Sequence, residues 1–251
     1  MTIRPFRAIT LAAVWALMLV PSAVFGAEAD DSTPPAAQKE SPKQEEAAKP
    51  DPYAWKNLFD GKTLQGWKVP KFGGEGEVSV QEGEIILEIG NSMTGITYTG
   101  EVPQDNYEIE LEGKRVDGVD FFCTTTFPVG KDPCTFVVGG WGGTVTGLSN
   151  VDYYDASDNL TTKFYEFKDK QWYKVRIRVT DAKIEAWIND EQMVDQERQG
   201  HKFDIRFEVE LCKPLGISSW DTKAALRNLR LRKLKPSEFQ PIEESEEKKD
   251  G

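Results

Sequence analysis

The sequence is poor in the residues that usually build metal centres and nucleophilic dyads. It has one histidine and three cysteines in 251 residues. Cys123, Cys134 and Cys212 lack the spacing of zinc ligands, and a single histidine on a predicted loop, His201, is usually a surface residue. If the strands carrying Cys123 and Cys134 form a hairpin, the two thiols are also out of register for a disulfide. The sequence therefore predicts three buried free thiols and a carboxylate as the base of any reaction.

Long apolar runs are also scarce, apart from one near the amino terminus. Residues 9–20 are apolar and follow Arg4 and Arg7. With the small residues that come next, they predict a secretory signal peptide over residues 1–26, cut after Gly26; an uncleaved anchor is the alternative. The run is too short for a comfortable membrane span. We therefore expect an exported protein, periplasmic or extracellular, that is soluble and free of the membrane after cleavage.

Basic character is missing from the core as well. The formal net charge is −11; residues 27–52 and 236–251 carry −4 each and the first 26 residues carry +2, which leaves −5 for residues 53–235. A mildly acidic core argues against nucleic acid as a partner. The two charged segments contain almost no large apolar residues, so we expect a disordered linker and a disordered tail around one domain over residues 53–235.

Helical periodicity is absent from that core, and short alternating segments bounded by Gly, Pro or Asp take its place. The clearest segment is residues 172–190, WYKVRIRVTDAKIEAWIND, which predicts a β-hairpin. Pairing Val179 with Ile184 gives one apolar face. The same register sets Arg178 against Glu185 and Arg176 against Trp187 on the other face. Many such strands predict an all-β sandwich of two antiparallel sheets.

Four segments, NLFDGKTLQGW, NYEIELEGKRV, the hairpin above and ALRNLRLRKL, together extend over residues 55–234 of the core. In these segments the core resembles the 3-keto-disaccharide hydrolase domain family of exported bacterial proteins. The resemblance implies a concanavalin A-like jelly-roll sandwich. It also implies hydrolysis of glycosides already oxidised to a ketone at C3, where a base removes the acidified C2 proton, the aglycone leaves and water is added. Asp221 is the only plausible counterpart of a family motif that precedes the last strand.

Candidate site residues lie mostly between residues 120 and 158. Trp141 stands in the run GGWGG, where glycines permit either close approach of a sugar to the indole or a tight bend. Asp152 and Asp155 follow in VDYYDASDN, and either is our predicted base. Asp120 and Asp221 are predicted supporting carboxylates. The predicted substrate contacts are Trp141, Tyr153, Tyr154, Trp220 and Arg227.

Other interpretations of these residues stay open. The oxygen-rich loop with Asp152, Asp155 and Asp158 is compatible with a divalent metal such as Ca²⁺, although its spacing is not that of a compact calcium loop, and no cofactor is certain. Arg227 shares parity with Leu229 and Leu231, which predicts an arginine on the apolar face with a buried partner. Glu108, Glu110 and Glu112 share one strand face, typical either of a solvated face paired with Lys and Arg or of a glucanase carboxylate pair.

Three functions follow from these patterns. The leading hypothesis is a carbohydrate-active hydrolase of 3-keto-glycosides. A non-catalytic, lectin-like carbohydrate-binding module is the first alternative, since such a module needs aromatic rings but no specialised carboxylate. An interaction domain held away from the cell envelope by its acidic linker is the second.

Overall fold

The computed structural model describes residues 51–239, which form two facing antiparallel β-sheets. Their fifteen strands, β1 to β15 in chain order, are Lys56–Asn57, Trp67–Lys68, Val78–Gln81, Glu84–Leu87, Met93–Tyr98, Tyr107–Gly118, Thr124–Val129, Asp132–Gly139, Val145–Ser149, Lys163–Phe164, Trp172–Val179, Lys183–Ile188, Glu191–Glu197, Gly216–Trp220 and Thr222–Lys233. A tight turn, Gly140–Gly143, and two 3-10 turns, Phe207–Cys212 and Pro236–Glu238, complete the secondary structure. The predicted all-β sandwich of two antiparallel sheets is confirmed.

The strand order is that of a jelly roll. Sheet A runs β13-β12-β11-β6-β15-β4-β3, with β1 added beside β15, and sheet B runs β10-β9-β8-β7-β14-β5-β2. Consecutive strands form hairpins in both sheets, and pairs from distant parts of the chain, such as β6 with β15 and β5 with β14, join the hairpins. Apolar side chains from the two inner faces, such as Ile177 of β11 and Phe136 of β8, form one continuous core. Alternation along each strand is what separates this core from the two outer faces.

The hairpin of residues 172–190 has the predicted register. Val179 pairs with Ile184, and Arg176 pairs with Trp187, with the Arg176 guanidinium 3.8 Å from the indole centroid. The predicted ion pair between Arg178 and Glu185 is replaced. The Arg178 side chain instead bonds Glu108 on the neighbouring strand β6, at 3.1 Å from Nη2 to Oε1. The Glu108 side chain is only 2% exposed, and a buried carboxylate gains more from a cation partner than a carboxylate at the surface does.

The three cysteine side chains are buried and free. Phe127 of β7 lies opposite Cys134 of β8, and Thr125 lies opposite Phe136. Cys123 immediately precedes β7, so its partner position in this register falls beyond Phe136 rather than at Cys134. The predicted absence of a bridge between Cys123 and Cys134 is confirmed by this geometry.

A β-bulge in β15 overturns the prediction for Arg227. The residue opposite Glu112 is Arg227 and the residue opposite Glu110 is Arg230, so three steps along β15 face two steps along β6. Asn228 takes a left-handed φ of 55° at this point. The extra residue reverses the parity of the strand, and Arg227 therefore lies on the outer face of sheet A, where its Nε bonds Glu112 at 2.7 Å.

Part of the outer face of sheet B, over β5 and β14, is covered by a segment of its own chain. Its hydroxyl side chains, among them Thr97 and Thr126, are buried although they point away from the core. The covering residues are the 3-10 turn Phe207–Cys212, and Thr97 Oγ1 donates to the Leu211 carbonyl at 2.8 Å. A Cβ on Gly216 would lie 2.5 Å from the Cys212 carbonyl, so the close approach requires glycine.

The carboxyl end of the described chain stays on sheet A. In the turn Pro236–Glu238, Glu238 accepts two hydrogen bonds from Arg232, at 2.9 and 2.8 Å. The predicted signal peptide, nearly all of the predicted linker and the tail from residue 240 onwards lie outside the described residues. Within residues 51–239, none of the helices is long and apolar enough to cross a membrane.

Candidate functional site

One cleft of about 210 Å³ remains open on the outer side of sheet B. Strands β7, β8 and β9 form its floor with Thr124, Thr135, Val137 and Ser149, and Met93 and Trp220 from β5 and β14 close one end. Two loops add Asp120, Phe121 and Trp141, and the covering segment adds Arg206, Glu208 and Val209. The cleft is thus largely apolar, with a hydroxyl-bearing floor and three charged side chains at its edges.

Trp141 lies at the mouth of this cleft, in the tight turn between β8 and β9. Its own φ is 50°, and Gly139, Gly142 and Gly143 also have positive φ, from 77° to 109°. A Cβ on Gly143 would lie 2.7 Å from the Val119 carbonyl, so glycine lets the turn pack against the loop that precedes β7. The indole remains 45% exposed. The glycines of GGWGG therefore form a tight bend and also leave the indole exposed. Both features that the sequence suggested for this run, a bend and an accessible ring, are present.

Asp120 is fixed beside Trp141 by backbone hydrogen bonds. Its Oδ2 accepts from the Gly142 amide at 2.8 Å and its Oδ1 accepts from the Phe121 amide at 2.8 Å. The Asp120 amide donates in turn to Thr222 Oγ1 at 3.0 Å. Asp120 lies on the loop before β7, which starts at Thr124. Each oxygen keeps a lone pair free, so the carboxylate can still accept a proton.

Arg206 is the cation of the cleft, and two carboxylates hold it. Its Nη1 donates to Asp155 Oδ2 at 2.8 Å, and its Nη2 and Nε donate to the two oxygens of Glu208 at 2.7 and 3.2 Å. The guanidinium carbon lies 5.9 Å from the Trp141 ring centroid. Three of its five N–H groups are thereby used, which leaves two for a ligand.

The two acids beside Arg206 are held in the charged form. Burial by itself raises the pKa of Glu208, but the hydrogen bonds and charge of Arg206 outweigh burial and hold this pKa below its ordinary value. Burial likewise raises the pKa of Asp155, while hydrogen bonds from Ser157 and the Arg206 charge lower it overall. Asp155 thus supports Arg206 from outside the cleft and does not line the cleft itself.

The other predicted base, Asp152, has a different environment. Its Oδ2 lies 2.7 Å from His201 Nδ1, and its Oδ1 accepts from the Lys202 amide at 2.8 Å. These two contacts, the Lys202 amide first, lower the pKa of Asp152. With Tyr154, Asp152 lines a neighbouring, more open groove, and Tyr153 is 70% exposed with its hydroxyl accepting from Lys202 Nζ at 3.0 Å.

Two further predicted residues lie apart from the cleft. Asp221 is in the turn between β14 and β15, where its Oδ1 accepts from the Ser92 amide at 3.2 Å. It follows Trp220, which lines the cleft, but is not itself a lining residue. Arg227 lies on the other sheet, as described above. Of the residues proposed from sequence, the structure therefore brings Asp120, Trp141 and Trp220 together and adds Asp155 through Arg206.

Arg206 and Glu208 have no counterpart among the sequence-based predictions. They start the covering 3-10 turn, a segment with neither strand nor helix periodicity, so no pattern marked them. The one sequence signal is the R-x-E spacing itself, which is common on protein surfaces. The possible divalent metal stays a prediction; between residues 51 and 239 no group of three or more His, Cys, Asp or Glu side chains is placed to hold an ion.

The fold and the cleft define an antiparallel β-sandwich domain with an aromatic-edged pocket on one sheet. Residues 54–232 match the 3-keto-alpha-glucoside-1,2-lyase-like domain, and the chain belongs to this family. The predicted family resemblance is therefore confirmed over nearly the whole core, and the protein is a member of a carbohydrate-active family. Comparison with curated protein sequences gives no match.

Several solved structures are similar to this chain at low sequence identity. The Crh5 transglycosylase in complex with NAG has a TM-score of 0.51 at 14% identity, over 74% of this chain and 86% of that one. Domain 4 of the extracellular GH43 arabinanase AbnA from Geobacillus stearothermophilus, solved with arabinotriose, has a TM-score of 0.47 at 14% identity, over 74% and 94% of the two chains. The carbohydrate-binding module CBM66 from Bacillus subtilis gives 0.45 at 11% identity, over 66% and 95%.

Proposed function

We propose that this protein cleaves 3-keto-glycosides in the cleft on sheet B. The observation that carries the proposal is the convergence of one carboxylate, Asp120, one aromatic ring, Trp141, and one cation, Arg206, around a largely apolar pocket. Membership of the 3-keto-alpha-glucoside-1,2-lyase-like family supports the substrate class. The base is Asp120 rather than Asp152 or Asp155, because those two side chains are turned to His201 and Arg206.

The size of the cleft supports a single sugar ring as the bound group. Pockets for drug-sized ligands measure about 300–1,000 Å³, and this one measures about 210 Å³. The ketone-bearing ring therefore occupies the cleft while the leaving group extends past the mouth. Trp141, 45% exposed at that mouth, offers an indole face on which a pyranose can stack.

The chemistry follows from the acidity that a C3 ketone gives to the C2 proton. Asp120 accepts that proton, the C2–H electron pair forms the C1=C2 double bond, and the bond from C1 to the glycosidic oxygen breaks. The leaving oxygen takes one proton, from the Asp120 carboxyl group or from water. Arg206 supports the negative charge that develops on the C3 oxygen through its two unused N–H groups. Addition of water across the resulting enone completes a net hydrolysis.

The test is to compare Asp120→Asn with Asp152→Asn on a panel of 3-keto-disaccharides. We expect Asp120→Asn to lower the rate of aglycone release by about 10²–10⁴-fold, the usual contribution of a general base. Asp152→Asn makes the same chemical change outside the cleft and should retain activity. Near-ultraviolet absorbance of the conjugated enone and release of the aglycone are followed together, with thermal melting to confirm folding. Equal activity of the two variants, or no turnover by the parent protein, would rule out the proposal.

A second function, glycan binding without cleavage, is favoured by the small number of free carboxylates in the cleft. Glu208 and Asp155 are both paired with Arg206, so of the described carboxylates lining the cleft only Asp120 has no cation partner. A binding module needs the ring of Trp141 and no base. It predicts that Trp141→Ala abolishes glycan binding, that Asp120→Asn leaves binding unchanged, and that no substrate is turned over.

We also propose export as the setting of this activity, on the strength of the predicted signal peptide. Amino-terminal sequencing of the protein recovered from the producing cells is the check. A mature chain that begins at residue 27 is expected, and retention of the full amino terminus in the cytoplasm would contradict it.

A further inference from the structure

The outer face of sheet A has a layered distribution of charge. Three glutamates of the central strand β6, Glu108, Glu110 and Glu112, form its floor at 2%, 8% and 25% side-chain exposure. Cations from the two flanking strands lie over them at 15–48% exposure: Lys174, Arg176, Arg178, Arg227, Arg230 and Arg232. Glu108 and Glu110 are therefore almost covered by the cations, while Glu112 stays partly exposed.

The cations outnumber the acids of this ladder. Six cationic side chains share three glutamates, and Glu238 adds a fourth carboxylate at one end, on Arg232. The ladder by itself has an excess of two positive charges, while the adjoining strands β12 and β13 add Lys183, Glu185, Asp195 and Glu197 to the same face. Residues 53–235 as a whole carry −5. A local cationic surface on an acidic domain attracts anions at short range without making the whole protein basic.

Two half-buried tryptophans flank the ladder. The Arg227 guanidinium lies 4.0 Å from the Trp172 ring centroid, and that of Arg230 lies 4.4 Å from the Trp55 ring centroid. Stacking and ion pairing hold both guanidinium groups in place, so little conformational entropy is lost when they bind a ligand. A second cation lies over each indole, Lys114 at 4.3 Å from the Trp172 centroid and Arg232 at 5.1 Å from the Trp55 centroid, so the rings position cations rather than a ligand.

A polar groove of about 350 Å³ runs between the cations. Its lining includes Asn57, Lys174, Asn228 and Arg230 above the glutamates. Arg230 bonds Glu110 through Nε, at 2.8 Å, and Nη2, and Arg227 bonds Glu112 through Nε. Neither Nη1 of Arg230 nor either Nη of Arg227 is hydrogen-bonded to any residue between 51 and 239. The groove thus combines unused N–H donors with amide groups that can bond hydroxyls.

We propose that this groove binds an acidic glycan, a polysaccharide whose sugar rings carry carboxylate groups. The carboxylates pair with Lys174 and the free guanidinium donors, and the hydroxyls bond Asn57 and Asn228. The site is on the sheet opposite the proposed catalytic cleft. It would hold the protein on an acidic matrix while the cleft stays accessible, and it stands whether or not the cleft is catalytic.

The test measures binding of the full-length protein to a defined oligogalacturonate by calorimetry. The matched ligand is the methyl-esterified oligomer, which keeps the sugar backbone and loses the charge. We expect binding of the acidic form that weakens with added salt, and affinity at least ten-fold lower for the ester. Equal affinity for both forms, or no binding at low salt, would overturn the proposal. So would equal or tighter binding of single-stranded DNA of similar charge, which would assign the face to nucleic acid.

Variants connect the binding to the groove. The double variant Lys174→Gln/Arg227→Gln removes two cations, while Glu110 keeps Arg230 and Glu112 keeps Asn228 as partners. It should lose at least ten-fold in affinity for the oligogalacturonate and retain its melting temperature to within a few degrees. The control Lys71→Gln/Lys213→Gln makes the same change in net charge away from sheet A and should bind as the parent does. Equal loss in both variants would reduce the effect to net charge and refute a built site. Aglycone release by the Lys174 and Arg227 variant should be unchanged, which separates this site from the cleft.

Discussion

Replacing Glu108 by Gln should destabilise the sandwich strongly, because this carboxylate is the common partner of three arginines. Its Oε1 accepts from Arg176 at 3.2 Å and from Arg178 at 3.1 Å, and its Oε2 accepts from Arg232 at 2.6 Å. The side chain is only 2% exposed. Glutamine would remove the charge and point amide N–H groups at guanidinium N–H groups, so the donors would meet without an acceptor.

The loss in the free energy of unfolding depends on which partners the three arginines would keep. Breaking a buried ion pair by removing one partner costs about 3–5 kcal/mol. Arg232 would keep Glu238, and Arg176, which is 31% exposed, would keep its stacking on Trp187 and gain water. We therefore expect the low end, about 3 kcal/mol, which for a domain of this size lowers the melting temperature by roughly 6–12 °C.

The assay is thermal and urea unfolding of the purified protein at neutral pH. Arg176→Gln is the matched control, since Glu108 would keep Arg178 and Arg232, and we expect it to cost about 1 kcal/mol or less. A loss below about 1 kcal/mol for Glu108→Gln, or equal losses for both variants, would show that the ladder is a set of independent surface pairs. That result would refute the layered description of the face.

Two further predictions concern the cleft and the core. Arg206→Gln removes the cation that holds the pKa of Glu208 low and leaves burial, which raises that pKa. In the parent protein the charged Glu208 stabilises the fold above the unfolded pKa of about 4.3 and loses this contribution as pH falls. The melting-temperature deficit of the variant should therefore be largest at pH 7 and shrink near pH 4; a deficit independent of pH would contradict the assignment. Burial raises the pKa of Cys134 and of Cys212 to about 12 and raises that of Cys123 also. All three thiols should be silent to a thiol reagent at pH 8 in the native protein and react in denaturant, and a fast-reacting native thiol would refute their burial.

Much of the sandwich could be predicted from residue patterns. The hairpin of residues 172–190 was predicted in its observed register, because period-2 alternation allows only one pairing that buries all its apolar side chains. The same strand register predicted that Cys123 and Cys134 are too far apart for a disulfide. Arg227 was placed on the wrong face, because a single bulge shifts the parity of every residue on one side of it.

The candidate site was less predictable. Asp120, Trp141 and Trp220 were proposed from local composition, and the cleft brings them together. Arg206 and Glu208 were missed, and Asp152 was proposed as a base although it faces His201. These residues lie on irregular segments, where no periodicity states which way a side chain points.

The sequence alone thus determined the class of fold, the family and the core face of the hairpin β11–β12, since these depend on local alternation and on short motifs. Only the tertiary structure decided which loops meet. The cleft exists because residues 206–212 fold back over sheet B, and the cationic face exists because β11 and β15 flank β6 although they are far apart in the chain. Both sites depend on contacts between segments that are far apart in the chain. Their charged side chains come close enough to interact only in the folded structure.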